Sequence, residues 1–298
     1  MKRFFVVILF AAVAHGQELR FANVGDWKIG YRTYGTLAAD KSNAIVVLTW
    51  FGGTTEGLAG WIGPGNLYDS SKYYVIAIDA LGDGVSSSPS NSSLTQITIR
   101  DMVRSQYELL TRELKLGHVY AVSGLSMGGM QTFQWVVSYP EFMTKAIPIV
   151  GTPKLTAYDL LLWKTELSLL DSPNGLKAVA DINEMHLHTP AYIASHTKDI
   201  DALMKSHEDT LRKLDPRNYA AVLKAMIGHD IGPYETVRAK MLIVTSAQDH
   251  MVNPAPAEEF ARRTKSQLLV LTGDCGHLAT ACEKDKLIGA VTRFLAQP

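Results

Sequence analysis

The sequence predicts an α/β fold: a mostly parallel sheet flanked by helices. Two observations carry that expectation. First, six short apolar runs are unbroken rather than alternating: Ala44 to Leu48, Tyr74 to Ile78, Val119 to Val122, Ala146 to Val150, Met241 to Val244 and Leu268 to Leu271. Continuous apolarity means burial on both faces, the condition of a parallel strand covered by helices. Second, helical patterns fill most of the intervals, as in Ile97 to Leu114 and Met127 to Ser138, the latter stopped at Tyr139-Pro140. Strand alternating with helix is the α/β arrangement.

Taken in order, the chain opens with Met1-Lys2-Arg3, an apolar run from Phe4 to Ala14, and Ala14-His15-Gly16. A basic start, a run shorter than the ~20 residues that span a bilayer, and small residues near its end read as a secretory signal over 1–16, cut after Gly16. An uncleaved anchor and a buried N-terminal helix are the alternatives. Glu18 to Tyr34 alternates loosely around Gly25-Asp26, predicting an antiparallel hairpin. Between Val150 and Met241 no strand-like run occurs, only helical patterns such as Leu155 to Leu170, Ala191 to Leu214 and Tyr219 to Ile227. This block, 151–238, reads as a helical cap inserted in a core formed by 17–150 and 239–298; long crossover helices are the alternative. No repeat or linker divides the chain further.

Composition narrows the function. Of 298 residues, 47% are hydrophobic and 19% charged, ordinary globular usage. Lys plus Arg (29) equals Asp plus Glu (29), so no basic excess exists to neutralise phosphates, and nucleic acid is not an expected partner. Cys275 and Cys282 are the two cysteines; across so short a loop they either pair or remain thiols, and spacing alone leaves both open.

The chemistry centres on Gly124-Leu125-Ser126-Met127-Gly128, a G-x-S-x-G directly after a strand-like run and directly before a helix. The glycines permit a sharp turn that lifts the Ser126 hydroxyl above the sheet edge, at a helix N-terminus whose free N–H groups favour an oxyanion. A serine nucleophile needs a base, and the base an orienting carboxylate, in the chain order serine, acid, histidine. Asp249 follows the strand-like run at 241–244, and His277 follows the last one. The predicted catalytic set is Ser126, Asp249 and His277; His250 and Asp274 are weaker rivals for base and acid. Oxyanion donors are expected from the N–H of Met127 and of Gly52, with Phe51 and Gly53 as alternatives. His186 and His188 have no third ligand at metal spacing, so they read as a solvated helix face, and neither metal nor cofactor is expected. The cap aromatics Tyr158, Trp163, Tyr192 and Tyr219 suggest an apolar acyl or aromatic pocket.

These residues resemble the α/β-hydrolase superfamily, and within it the homoserine O-acetyltransferase branch and its hydrolase-like relatives. The resemblance rests on Gly124 to Gln131 with Trp135 beyond it, on Tyr34-Gly35-Thr36-Leu37 and on Asp79 to Gly84, and extends from about Leu19 to Leu295. It implies an eight-stranded sheet, a helical cap between the sixth and seventh strands, and the Ser126, Asp249, His277 triad. The expected function is a secreted or periplasmic serine hydrolase acting on a small-molecule ester or related acyl substrate. An O-acyltransferase drawing on acyl-CoA, and a non-catalytic binding protein on the same fold, are the rival readings. A membrane is not an expected partner once the signal is cut, and a homodimer is the one assembly left open.

Overall fold

The computed structural model describes residues 18–298; the signal expected over 1–16 lies outside them. Among the described residues, eight strands form one sheet: β1 (Arg20–Val24), β2 (Trp27–Tyr34), β3 (Ala44–Leu48), β4 (Tyr74–Ile78), β5 (Val119–Leu125), β6 (Met143–Ile149), β7 (Lys240–Ser246) and β8 (Gln267–Leu271). Their order is β1-β2-β4-β3-β5-β6-β7-β8. The hairpin β1–β2 is antiparallel, as the alternation around Gly25-Asp26 predicted, and β2 pairs antiparallel with β4. From β4 to β8 every pairing is parallel. All six continuous apolar runs are strands.

Burial on both faces is visible residue by residue in β3. Ala44, Val46 and Leu48 point into one core layer, Ile45 and Val47 into the other, and all five are buried. The first layer is closed by α2 (Ile99–Glu108), α3 (Met127–Ser138) and α9 (Ala255–Thr264), which contribute Met102, Phe133 and Phe260. The second is closed by the short α1 (Thr55–Leu58) and by α11 (Lys284–Ala296), through Leu58, Leu287 and Phe294. Buried Lys145 on β6 ties α11 to the sheet: its Nζ donates to the carbonyls of Phe294 and Leu295, each at 3.0 Å, to the carbonyl of Gln297, and to Tyr120 Oη at 2.8 Å.

Five helices lie between β6 and β7: α4 (Ala157–Leu169), α5 (Gly175–Leu187), α6 (Pro190–His196), α7 (Ile200–Leu211) and α8 (Pro216–Ile227). The pattern read as one helix over Ala191 to Leu214 is broken into α6 and α7. Thr197 leaves the helical region (φ −93°, ψ 115°), and the Asp199 carboxylate accepts from the Ala202 N–H to start the next helix. The stretch Ile97 to Leu114 is likewise shorter as α-helix than its apolar period suggests: a Thr98/Asp101 capping box begins α2, and its last turn widens to a π-helical turn at Leu109–Glu113. Cys275 and Cys282 form a disulfide, with Cα atoms 6.5 Å apart, so the thiol alternative does not hold. Between them runs a 3₁₀ turn (Gly276–Leu278) and the short α10 (Ala279–Cys282).

Candidate active site

The strand order reverses at β3 and β5, and in an open α/β sheet the crevice beyond the carboxyl ends at that point is where ligands bind. Ser126 sits at that spot, between β5 and α3, with φ 55° and ψ −117°. A non-glycine residue held there costs about 1–3 kcal/mol, which the surrounding turn must offset. It does so through contacts that only glycine permits. A Cβ on Gly128 would lie 2.5 Å from the Leu48 carbonyl oxygen, and one on Gly124 2.5 Å from the Gly128 carbonyl carbon. The Ser126 N–H is held by the Ile149 carbonyl at 2.8 Å.

Asp249 follows β7 and His277 follows β8, and both side chains are buried. The structure brings them to Ser126: His277 Nδ1 is 2.7 Å from Asp249 Oδ2, and His277 Nε2 is 2.9 Å from Ser126 Oγ. The carboxylate fixes the tautomer, because Nδ1–H donates to it and leaves the Nε2 lone pair facing the serine hydroxyl. The second Asp249 oxygen, Oδ1, accepts from the N–H groups of Met251 at 2.9 Å and Val252 at 2.8 Å. Ser246 Oγ donates to the Gly276 carbonyl at 2.7 Å and couples the two loops. The rivals are elsewhere in chemical terms: His250 and Asp274 are exposed.

Met127 is the first residue of α3, where backbone N–H groups have no intrahelical acceptor. Gly52 lines the same cavity as Ser126 and adopts φ 70°. Gly53, one of the alternatives, is spoken for: its N–H donates to the Trp50 carbonyl at 3.0 Å. Phe51 and Gly52 remain as sources of the second oxyanion donor.

The cavity above Ser126 measures about 410 Å³. Its apolar wall includes Phe51, Trp61, Trp163, Leu214 and Met226. Of the four cap aromatics picked from the sequence, Trp163 and Tyr219 line it. Tyr158 is 43% exposed, and Tyr192 stacks between His188 and His196 instead. His188 is not on a solvated face: it is half-buried with Nδ1 2.8 Å from Glu184 Oε1, and His207 Nδ1 approaches the other oxygen of Glu184 at 3.4 Å. The hydrogen bond from His188 holds the Glu184 carboxyl below its ordinary range. Among the described residues no group of three ligating side chains could hold a metal.

One polar feature of the wall was not singled out from the sequence. Glu166 of α4 is 1% exposed, accepts from Tyr219 Oη at 3.3 Å through Oε2, and burial pushes its carboxyl up to about 8. Asn183 of α5 donates from Nδ2 to Tyr219 Oη at 2.9 Å. The signal was present: Glu166 lies one helical turn beyond Trp163, a carboxylate on the apolar side of α4. A consequence for stability follows from the sign of this shift. The folded state keeps the Glu166 proton up to about 8 while the unfolded chain releases it near its ordinary value, so stability falls as pH rises through that window and levels above it. Melting temperatures of wild type and Glu166→Gln measured from about pH 5 to about pH 9 will therefore diverge, the wild type losing on the order of 2–4 kcal/mol that the amide does not lose. Parallel curves would contradict the shift.

Comparison with known proteins agrees with this architecture. A family model described as the α/β hydrolase fold matches residues 44–280. The chain is 40% identical over 153 residues to an ethyl acetate hydrolase of Pseudomonas veronii, which covers 49% of this chain and 44% of that one. It is 41% identical over 336 aligned positions to a homoserine O-acetyltransferase of Methanosphaerula palustris, covering 90% of this chain and 68% of that one. The chain spans less than half the length of two curated esterase relatives that it matches, 46% and 44%. Among solved structures, the acetyl esterase MekB superposes with a TM-score of 0.90 at 23% identity, over 94% of this chain and 97% of that one, a likeness of fold. With a family model covering most of its length, an eight-stranded mostly parallel sheet and relatives that are esterases and acyltransferases, the chain is an enzyme that belongs to the α/β-hydrolase fold family.

Proposed function

We propose that the protein hydrolyses carboxylic esters through an acyl-enzyme on Ser126. The observation that carries this reading is the unbroken relay of 2.9 and 2.7 Å from Ser126 Oγ through His277 to Asp249, at the floor of a largely apolar cavity. His277 Nε2 takes the hydroxyl proton as Ser126 Oγ bonds to the acyl carbon. The oxygen that gains charge lies toward the Met127 N–H and the N–H of Gly52 or Phe51. The proton passes from His277 to the departing alcohol, the carbon–oxygen bond of the ester breaks, and a water activated by the same imidazole releases the acid. Asp249 keeps the imidazole in the tautomer this requires and stabilises it when charged.

Esterases among the relatives support the proposal, and so does the shape of the site. Export to an oxidising compartment is part of it, supported by the Cys275–Cys282 disulfide, since such bonds persist outside reducing cytosol. A second reading, transfer of an acyl group to an alcohol, draws on the identity to a homoserine O-acetyltransferase over 90% of the chain. The two share the acyl-enzyme and differ in what accepts it. Incubation with p-nitrophenyl acetate, and separately with acetyl-CoA plus homoserine, separates them. We expect nitrophenolate and free acetate from the first and no O-acetylhomoserine from the second; acetylhomoserine formation without ester turnover would reverse the assignment. An intact protein whose Ser126 is not labelled by a fluorophosphonate would favour a non-catalytic binding role.

A further inference from the structure

Three of the polar side chains that the cap presents to the cavity, none of them used in the acyl-transfer steps, form one group. Glu166, Asn183 and Tyr219 all line the cavity, each is at least nine-tenths buried, and they are linked to one another through the Tyr219 hydroxyl. Tyr219 donates its proton to Glu166 and accepts from Asn183, so its own capacity is largely used. Glu166 Oε1 and Asn183 Oδ1 have no partner among the described residues. His207 Nε2, on the same cavity wall, is in the same condition. A buried polar atom left unpaired is destabilising, so side chains that carry one in a largely apolar wall call for a function.

We propose that Glu166, Asn183 and Tyr219 form a specificity subsite for a hydroxyl group carried by the substrate at a distance from the scissile ester. A hydroxyl both donates and accepts, and the pair Asn183 Oδ1 and protonated Glu166 Oε1–H offers one acceptor and one donor. The rest of the cavity lining favours a hydrocarbon chain leading to that group: it includes Phe51, Trp163 and Leu223, and the Phe51 ring packs on Tyr219 with centroids 4.5 Å apart. Neutral Glu166 argues for an uncharged group over a cation, because no net charge is then buried opposite the ligand. A site built to bond a hydroxyl rejects the analogue lacking it, since its own buried atoms then stay unpaired.

The inference rests on the hydrolase reading above, and matched esters test the two apart. One pair places the hydroxyl on the acyl side, p-nitrophenyl ω-hydroxyhexanoate against p-nitrophenyl heptanoate. The other places it on the alcohol side, ω-hydroxybutyl acetate against pentyl acetate. Wild type is expected to favour the hydroxylated member of at least one pair by about tenfold in kcat/KM, the scale of one or two buried hydrogen bonds. In Glu166→Leu and in Asn183→Leu that ratio should fall to near one, while Glu166→Gln, which keeps a neutral hydrogen-bonding group, should retain most of it. If Glu166→Leu does not fold, Asn183→Leu and the wild-type ratio decide alone. Equal turnover within both pairs by an active wild type overturns the subsite and leaves the hydrolase intact. So does a stronger preference for an ω-ammonium ester. Absence of turnover on all four esters removes the hydrolase reading and this one with it.

Discussion

Ser126→Ala will abolish ester turnover, lowering kcat by about 10⁴–10⁶-fold, with the melting temperature almost unchanged. The size follows from the chemistry lost. Without Oγ no acyl-enzyme can form, and what remains is a bound ester beside an imidazole and a set of N–H donors, which retain only the fraction of catalysis due to binding and oxyanion stabilisation. The small stability change follows from the structure. The side chain is half-buried and, among the described residues, bonded only to His277, whereas the strained turn is held by the backbone bond from Ser126 N–H to the Ile149 carbonyl, which alanine keeps. His277→Ala should cost nearly as much in kcat, and the double variant no more than the worse single one, because the two side chains act as a unit. The measurement is kcat on p-nitrophenyl acetate, with wild-type active sites titrated by a fluorophosphonate and the variants, which lack the labelled hydroxyl or its base, normalised to the concentration of folded protein. Residual turnover in Ser126→Ala within tenfold of wild type would remove Ser126 as nucleophile.

Gly128→Ala is the substitution expected to do most damage to the fold for the least added mass. The new methyl would stand 2.5 Å from the Leu48 carbonyl oxygen and 3.2 Å from that of Thr49. Both oxygens are backbone at the end of β3 and cannot rotate away. The methyl must push α3 off the sheet, and α3 is buried over most of its length, with Met130, Phe133 and Trp135 packed in the core. Overpacking of this kind costs about 3 kcal/mol, and in a chain of this size a loss of that order lowers the melting temperature by roughly 6–12 °C. The displacement also shifts Ser126 and the Met127 N–H relative to Gly52, so kcat should fall along with stability. Gly117→Ala is the control: a Cβ there meets nothing within 4 Å, and no loss is expected. Equal melting temperatures for the two variants would contradict the close-contact account.

The parts of the fold that sequence made legible are those in which local pattern and burial coincide. Runs such as Ala44 to Leu48 could be read because a strand covered on both faces is filled mainly by apolar residues, and the G-x-S-x-G at Ser126 because its glycines are demanded by contacts with Leu48 and with each other. Placement of Asp249 and His277 together was legible only through chain order, since the distances that join them depend on how β7 and β8 pair. The cap was harder. The break at Thr197 is decided by the Asp199 cap, a competition between two local solutions that an apolar period does not register. Glu166 is not readily legible in the sequence because a lone carboxylate on a helix ordinarily faces water; its burial is set by α5 and α8 closing over α4, a tertiary fact. The sequence places His188 in solvent for the same reason, whereas its partner Glu184 holds it half-buried from one turn earlier on α5.

Lys145 gives the molecule a direction in time as well as in space. It sits in the middle of the sheet, yet three of its four acceptors are peptide oxygens of residues 294–297. While the polypeptide is still emerging from a ribosome, that amine is made long before the groups that satisfy it, and β6 is left with an unsatisfied donor until the final turn of α11 arrives. Packing of β6 is therefore expected to be completed only once residues 294–297 have left the ribosome, with the end of α11 acting as the bolt that closes the sheet.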